Sequence, residues 1–324
     1  MRIFITGGTG NIGQYVTQAL VRNGHALVLL TRTPDRIPAI AALPGVTVVR
    51  GGILDRDVMR TSLAGCDAVI HIALGWGNDP AEMLDHDTAS TVFLLKEAER
   101  AGVDRFLYTS STAACGPLRP DMDERCACWP NDLYGATKAA SEHYVLGFNR
   151  YYGGQGVPDR RVRMRRNVIR PGYTYSNPAF ENGASQSDTR FHQIAEAVLA
   201  DRPLSFPRHD GTQFLSAERL AELYVRVIES DLDGEVIFAL GAKHVTWAHI
   251  ARTAAMMACS RSLISETADR ESAEPLLYDT TKMQTLIGPE TDEDARLEAH
   301  VRWSLERARR RLAGEAVHDI LHVW

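Results

Sequence analysis

Up to Pro171-Gly172 the chain alternates short, unbroken apolar runs with stretches whose apolar residues recur every three or four positions. Ile3–Ile5, Ala26–Leu30, Val46–Val49, Ala68–Ile72 and Phe106–Tyr108 each predict a buried strand. They are continuous rather than alternating, as expected where helices cover both faces of a parallel sheet. Gln14–Arg22 predicts a helix, with Val16, Ala19 and Leu20 on one face before Gly24 ends it. Thr88–Arg100 does the same through Thr91, Leu94, Leu95 and Ala98 before Gly102. Strands alternating with helices predict βαβ units and an α/β fold, a Rossmann-type doubly wound parallel sheet.

Beyond Gly172 the texture changes. Residues 173–190 are polar and rich in Ser, Asn and Gly, which predicts a loop over a site. Helical spacing returns at Phe191–Ala200 and Glu218–Glu229, and Glu235–Leu240 reads as one more strand. Ala295–Leu312 sets Leu297, Val301, Leu305, Ala308 and Leu312 at helical spacing, with arginines opposite. The basic run Arg160–Arg166 reads as a solvated loop leading into a strand at Val168–Arg170.

Composition narrows the function classes. The 324 residues carry 36 basic and 41 acidic side chains, a formal charge of −5, so a nucleic-acid binder is disfavoured. No stretch approaches the ~18 apolar residues of a membrane span. The start, Met1 to Gly7, reaches glycine too early for the apolar core of a signal peptide. A cytoplasmic protein is therefore expected. The five cysteines form no CxxC pair; Cys126 and Cys128 are two apart, and Cys66, Cys115 and Cys259 are scattered. Reduced thiols are expected rather than disulfides. No metal site is expected either. His318 and His322 stand four apart but lack the Glu of an H-E-x-x-H helix, and His71 in its strand reads as a brace.

The first strand runs directly into Thr6-Gly7-Gly8-Thr9-Gly10-Asn11-Ile12-Gly13, after which a helix begins. A tight turn needs glycine, and a backbone without Cβ can approach a pyrophosphate whose charge faces the helix N-terminus. The strand–turn–helix context makes this a dinucleotide fingerprint rather than an unliganded turn. The second strand ends Leu29-Leu30-Thr31-Arg32 with no acid before Asp35. An acid there would bond the ribose 2′-hydroxyl of NAD; Arg32 instead suits the 2′-phosphate of NADP. NADP is therefore expected, with NAD as the alternative. Further on, Tyr134-Gly135-Ala136-Thr137-Lys138 puts a phenol and an ammonium on one helical face. A tyrosine is a poor base near neutrality, and a neighbouring ammonium favours its phenolate. A Ser/Thr cluster, Thr109-Ser110-Ser111-Thr112, follows a strand upstream.

These motifs together resemble an extended short-chain dehydrogenase/reductase of the NAD-dependent epimerase/dehydratase family. The glycine turn, Val69–Ala73, Tyr108–Ser111, Tyr134–Glu142, Ile169–Gly172 and Tyr278–Lys282 followed by Leu286-Ile287-Gly288 match in family order. The resemblance implies Tyr134 as proton donor or acceptor and Lys138 as partner of the nicotinamide ribose. It implies Ser111 as a hydrogen-bond partner of the reacting oxygen, selected by its spacing from Cys115-Gly116. It implies cofactor contacts at Gly7, Gly10, Asn11, Ile12, Gly13, Arg32, Leu54, Ala73, Leu74 and Gly75, with Pro171, Gly172 and Tyr173 closing over the nicotinamide. Thr112, Cys115, Arg190, Phe191, His192 and Arg208 are the candidate substrate walls. The same resemblance implies a homodimer through the helix that Tyr134 begins and Thr88–Arg100. It divides the chain into a cofactor domain, 1–172 with a return segment 217–241, and a smaller substrate-binding region, 173–216 and 242–324.

Departures from the family pattern narrow the reaction. Gly52 stands where an adenine-binding Asp is common, leaving Asp55 as a helix cap, and Asp87 replaces a helix Asn. The Asp-Glu pair that follows the serine in dehydratases is Thr112-Ala113 here, and Cys115 lies too far along to match the 3,5-epimerases. Reduction or dehydrogenation of a small substrate and 4-epimerisation by an NAD-retaining enzyme remain. Arg32 favours the former. A non-catalytic NADP-sensing regulator is the third reading, opposed by Tyr134 and Lys138.

Overall fold

The computed structural model describes the chain apart from residues 37, 78, 121, 153–163, 186–188, 269–274, 316 and 318–324. His318, His322 and residues 160–163 of the basic run lie outside the described residues.

The apolar runs pair into one sheet. In chain order its strands are β1 (Arg2–Thr6), β2 (Ala26–Thr31), β3 (Val46–Arg50), β4 (Ala68–His71), β5 (Arg105–Thr109), β6 (Arg165–Pro171) and β7 (Val236–Ala239). Across the sheet they run β3-β2-β1-β4-β5-β6-β7, and every neighbouring pair is parallel. The winding reverses between β1 and β4, the point where such sheets open a crevice at their carboxyl ends. The helices used below are α1 (Asn11–Arg22), α2 (Arg56–Ser62), α3 (Ser90–Arg100), α4 (Leu133–Tyr152), α5 (Arg190–Leu199), α6 (Ala217–Glu229), α7 (Trp247–Ala258) and α8 (Glu293–Leu312).

Strand side chains alternate between faces, so each continuous run feeds two cores. Ile3 and Ile5 join Val16 and Leu20 of α1 with Leu220, Leu223 and Tyr224 of α6. Phe4 and Tyr108 join Met59 of α2, Leu94 and Leu95 of α3 and Val145 of α4. A third core lies outside the sheet, where Phe191, Trp247 and Leu297 bring α5, α7 and α8 onto Tyr175 and Phe214. Its rings meet edge to face: Phe214 and Trp247 at 5.0 Å, Phe191 and Trp247 at 5.1 Å. Thr246 caps α7 by accepting from His249 N–H at 3.1 Å, and Trp247, Ile250, Ala251 and Ala254 form its buried stripe.

One element departs from the expected pattern. The helix anticipated from Thr88 is preceded by a π-helical turn, Leu84–Ala89, and α3 starts only at Ser90. Such wider turns accommodate one extra residue and often mark a functional position. Here Asp87 and Thr88 are buried. The described part of the basic run is tied down: Arg165 pairs with Asp231 at 2.7 Å and Arg166 with Asp233 at 3.0 Å. No described helix is long and apolar enough to cross a membrane.

Candidate active site

The crevice between β1 and β4 is built by glycine. Gly7 has a left-handed backbone (φ +72°), and a Cβ on it would lie 2.6 Å from the Ala73 nitrogen. A Cβ on Gly13 would overlap the Gly7 carbonyl oxygen. The turn, α1 and the loop after β4 can therefore converge only with glycine at both places. Gly10 caps α1 without a side-chain hydrogen bond, and the first turn holds no acid. Its leading N–H groups and positive dipole end suit a phosphate. The segment expected as a loop over the site is fastened to α1. Ser176 Oγ bonds Asn11 Oδ1, Gln14 Nε2 donates to the Ala184 carbonyl at 2.5 Å, and Tyr15 donates to the Asn177 carbonyl at 3.0 Å. Ile12 packs against the core beneath.

At the far end, the Arg32 stem runs over Gly52: a Cβ there would lie 3.5 Å from Arg32 Cγ. Arg32 is exposed, and no ion pair to it forms among the described residues. Asp55 takes the Gly52 N–H at 2.6 Å with its side chain and makes no side-chain cap on α2. Leu54 beside it is 50% exposed.

The catalytic candidates lie on the β4–β5 side. Ser111 caps a short 3₁₀ turn, Thr112–Cys115, by accepting from Ala113 N–H at 3.2 Å. A Cβ on Gly135 would overlap the Ala113 carbonyl oxygen, so the glycine after Tyr134 lets α4 sit directly on the serine turn. Tyr134 is half-buried, with the Trp76 ring 6.5 Å from its own. One turn on, Lys138 is buried, its Nζ 5.9 Å from the Tyr134 ring centre. That ammonium lies 3.5 Å from each Asp87 carboxylate oxygen and 3.4 Å from the Tyr108 hydroxyl. Burial alone would lower the Lys138 pKa, but neighbouring negative charge holds it above the usual lysine range. Burial also pushes Tyr108 up, which keeps that phenol neutral, so Asp87 supplies the stabilising charge.

Asp87 Oδ1 also accepts from Gly75 N–H at 3.1 Å, tying the loop after β4 to the lysine. His71 bonds Thr6 Oγ1 at 2.6 Å and Thr91 Oγ1 at 2.9 Å. Burial, then the Lys138 charge, pulls its pKa down to about 4. It is a neutral brace, as its strand position suggested. The residues present fit a dinucleotide: a cradle closed to any Cβ, uncapped helix N–H groups, and a buried ammonium whose hydrogen bonds are long. An ammonium has three donors, and contacts of 3.4–3.5 Å leave capacity for ribose hydroxyls.

The remaining candidates separate. Ala73, Leu74 and Gly75 lie in the loop after β4, with Ala73 N–H on Thr6 Oγ1 at 3.3 Å. Pro171 ends β6, and the Tyr173 ring packs 4.7 Å from Phe214. Arg190 lies 4.2 Å over the Trp247 ring and 5.9 Å over Tyr173. His192 rests against Trp303 at 5.6 Å. Phe191 is 2% exposed inside the third core. Arg208 follows the short strand Leu204–Pro207 and donates its N–H to Thr267 at 3.0 Å, apart from the others. Thr112 opens the 3₁₀ turn after Ser111, and Cys115 packs with Phe238, Leu240 and Met122.

Sequence reasoning gave no role to Tyr108, Glu142 or Asp87 as a lysine partner. Glu142 lies one turn beyond Lys138 and grips Arg170 of β6 with both oxygens, Nε to Oε2 at 3.1 Å. Its spacing from Lys138 was the available signal. Asp87 carried only the departure from the family's Asn, and it stands in the π turn, buried.

Comparison with known proteins bears on the family and the fold. A 3 beta-hydroxysteroid dehydrogenase/Delta 5→4-isomerase of Mycobacterium tuberculosis is 30% identical over 211 residues, 61% of this chain and 51% of that protein. The chain thus matches about half the length of that relative. A 4-hydroxy-2-methyl-3-oxo-4-farnesyl-3,4-dihydroquinoline-1-oxide ketoreductase of Stigmatella aurantiaca is 28% identical over 248 residues, 74% of this chain and 67% of that one. Among solved structures, a UDP-glucuronic acid 4-epimerase from Bacillus cereus in complex with NAD superposes with a TM-score of 0.76 at 21% identity. That likeness covers 94% of this chain and 99% of the other, and shows a shared fold. A family model matches residues 3–241, the seven-stranded sheet but for Arg2 at the start of β1. The chain belongs to the NAD dependent epimerase/dehydratase family.

Proposed function

We propose that this protein is an NADP(H)-dependent oxidoreductase that interconverts a carbonyl and a secondary alcohol on a small substrate, sugar-like molecules among the candidates. The observation that carries the proposal is the half-buried Tyr134, its ring 5.9 Å from the buried Lys138 ammonium and 6.5 Å from the Trp76 ring. When bound, the nicotinamide supplies or accepts the hydride. Tyr134 gives its hydroxyl proton to the substrate oxygen in reduction and takes it back in oxidation. The Lys138 ammonium favours the phenolate that remains, and Ser111 Oγ donates a hydrogen bond to the same oxygen. Gly7, Gly10, Asn11, Ile12 and Gly13 would hold the pyrophosphate. Arg32, with Thr31 or Thr33, would hold the 2′-phosphate, and Leu54 with Ala73–Gly75 would flank the adenosine half. Pro171, Gly172 and Tyr173 would flank the nicotinamide.

Two named relatives, a dehydrogenase and a ketoreductase, support hydride transfer as the net reaction. A UDP-glucose 4-epimerase of Streptomyces lividans, 32% identical over 155 residues, supports the alternative of an NAD-retaining epimerase. The discriminating experiment identifies the nucleotide released on denaturing the purified protein, then assays NADPH oxidation with ketones and aldehydes. Tightly held NAD selects the epimerase; an empty protein that consumes NADPH selects the reductase. Tyr134→Phe abolishes turnover and leaves cofactor binding intact. Undiminished turnover would remove the acid/base role. The same reading assigns 1–172 with 217–241 to the cofactor and 173–216 with 242–324 to the substrate, in a cytoplasmic homodimer. Tyr144, 55% exposed on α4, suits the dimer face, and light scattering tests it.

A further inference from the structure

Beside the serine turn lies a thiol cluster that the proposed reaction does not use. Cys115 ends the 3₁₀ turn that Ser111 caps and is wholly buried. Cys126 is partly exposed, and its Sγ lies 3.1 Å from that of Cys115. Arg170 donates through Nη1 to Cys126 Sγ at 3.4 Å and through Nη2 to Cys128 Sγ at 3.5 Å.

We propose that Cys115 and Cys126 are a dithiol–disulfide site, oxidised by hydrogen peroxide and restored by a thiol reductant. Their separation exceeds the ~2.05 Å of a disulfide bond by about 1 Å. Cys126 lies in a stretch without helix or strand, held locally by its N–H on the Asp123 carbonyl at 3.0 Å. Glu124 ties the same stretch to Arg170 of β6 and to the Phe238 N–H of β7, so the gap closes by a local shift at Cys126.

The order of attack follows from the surroundings. Burial pushes the Cys115 thiol up, and it does the same to Cys128, which also faces the Glu142 carboxylate at 4.0 Å. Cys126 is partly exposed, so peroxide reaches its sulfur before that of buried Cys115, and an Arg170 N–H points at it. Cys126 thiolate attacks one peroxide oxygen. The O–O bond breaks, hydroxide leaves and takes up the Cys126 proton as water, and Cys126 becomes a sulfenic acid. Cys115 sulfur then attacks the Cys126 sulfur. The S–O bond breaks, and the departing hydroxide takes the Cys115 proton as a second water. Two thiols lose two electrons and one peroxide gains them.

This inference does not depend on the hydride-transfer reading, and its test needs no substrate. The full-length chain in a Cys259→Ser background, which removes the exposed thiol, is reduced, desalted and treated with a small excess of hydrogen peroxide. Remaining thiols are then alkylated and the protein is digested without reductant. Alkylatable thiols fall by two, a cross-linked Cys115–Cys126 peptide pair is recovered, and dithiothreitol reverses both. Adding Cys128→Ser leaves the cross-link in place. Adding Cys126→Ser abolishes it and leaves Cys115 alkylatable after unfolding. An unchanged thiol count, a Cys126–Cys128 bond, or Cys126 carried to sulfinic acid without a cross-link would each overturn the proposal.

Discussion

Helix α4 holds two buried ion pairs one turn apart, and they are built differently. Glu142 and Arg170 meet fork to fork, with side chains 1% and 3% exposed. Lys138 and Asp87 are as deeply buried, at 3% and 0%, yet their charges stand 3.5 Å apart. Asp87 Oδ2 completes no hydrogen bond within the described structure. A bidentate guanidinium–carboxylate pair satisfies its partners in one geometry. The looser pair keeps donors and an acceptor in reserve. The contrast separates a fastening from a site: burial is the same in both, and what differs is unspent hydrogen-bonding capacity.

The largest effect is expected at the loose pair. Lys138→Met removes the ammonium 5.9 Å from the Tyr134 ring, and turnover falls ~10²–10⁴-fold, the usual span for a lost acid–base contribution. It also leaves the Asp87 charge buried alone, so stability drops. Adding Asp87→Asn to that variant restores stability, read by urea unfolding, and does not restore turnover. Recovery of turnover in the double variant would mean that Lys138 serves only to neutralise Asp87.

At the tight pair the order of effects reverses. Arg170→Met strands a buried carboxylate and costs about 3–5 kcal/mol of stability. Arg170→Met with Glu142→Leu recovers most of that loss, because two apolar groups of suitable size can replace a buried pair. Both effects read out as shifts of the urea midpoint at unchanged slope. A single variant that unfolds with the wild type would show that this pair fastens nothing.

The loose pair also has a titratable neighbour. His71 is held near pKa 4 against an ordinary 6.5, by burial first and the Lys138 charge second. Above pH 6.5 both folded and unfolded imidazoles are neutral, so stability is fully present. As pH falls below 6.5 the unfolded chain takes up a proton that the folded one refuses, and stability is lost progressively down to about pH 4. The window is worth about 3 kcal/mol. His300, pulled down to about 3 by burial and then by His192, acts in the same direction. Unfolding free energies at pH 7.5, 5.5 and 4.5 will fall less steeply in His71→Gln than in wild type. Parallel slopes would place the acid sensitivity elsewhere.

Much of this contrast was written in the chain, though unevenly. The seven strands were legible because parallel strands covered on both faces must be continuously apolar. Tyr134 and Lys138 were legible because helical spacing alone puts them on one face. Asp87 was not, since its partner lies 51 residues away and only a π turn swings it inward. Helix α7 carries legible signals, a Thr246 cap and a stripe at Trp247, Ile250, Ala251 and Ala254, although the expected elements pass from Leu240 to Ala295 without it. Phe191 carried a substrate role by analogy, and the structure gives it to the aromatic core, where Trp247 and Phe214 meet its edges. That core draws on α5, α7 and α8, and long-range convergence of this kind leaves no local signature.

The smallest expected effect repeats the contrast at the surface, at the ends of β2 and β3. Arg50 is spent: it pairs with Asp35 at 2.6 Å, both side chains well exposed, an arrangement worth little to stability. Arg32 is unspent, its stem laid over Gly52 and its guanidinium in solvent. If unspent capacity marks a site here as it does at Lys138, Arg32→Ala weakens NADPH binding about tenfold to a hundredfold, the worth of a charge-assisted hydrogen bond or two. NADH binding stays as it was, since that nucleotide offers no 2′-phosphate to lose. Arg50→Ala leaves both affinities within about twofold, because its charge is already engaged. Fluorescence titration of the three proteins with both nucleotides decides the matter. Equal weakening of NADPH by the two substitutions would reduce Arg32 to general positive charge at the crevice mouth, and the cofactor preference would then have to come from elsewhere in the site.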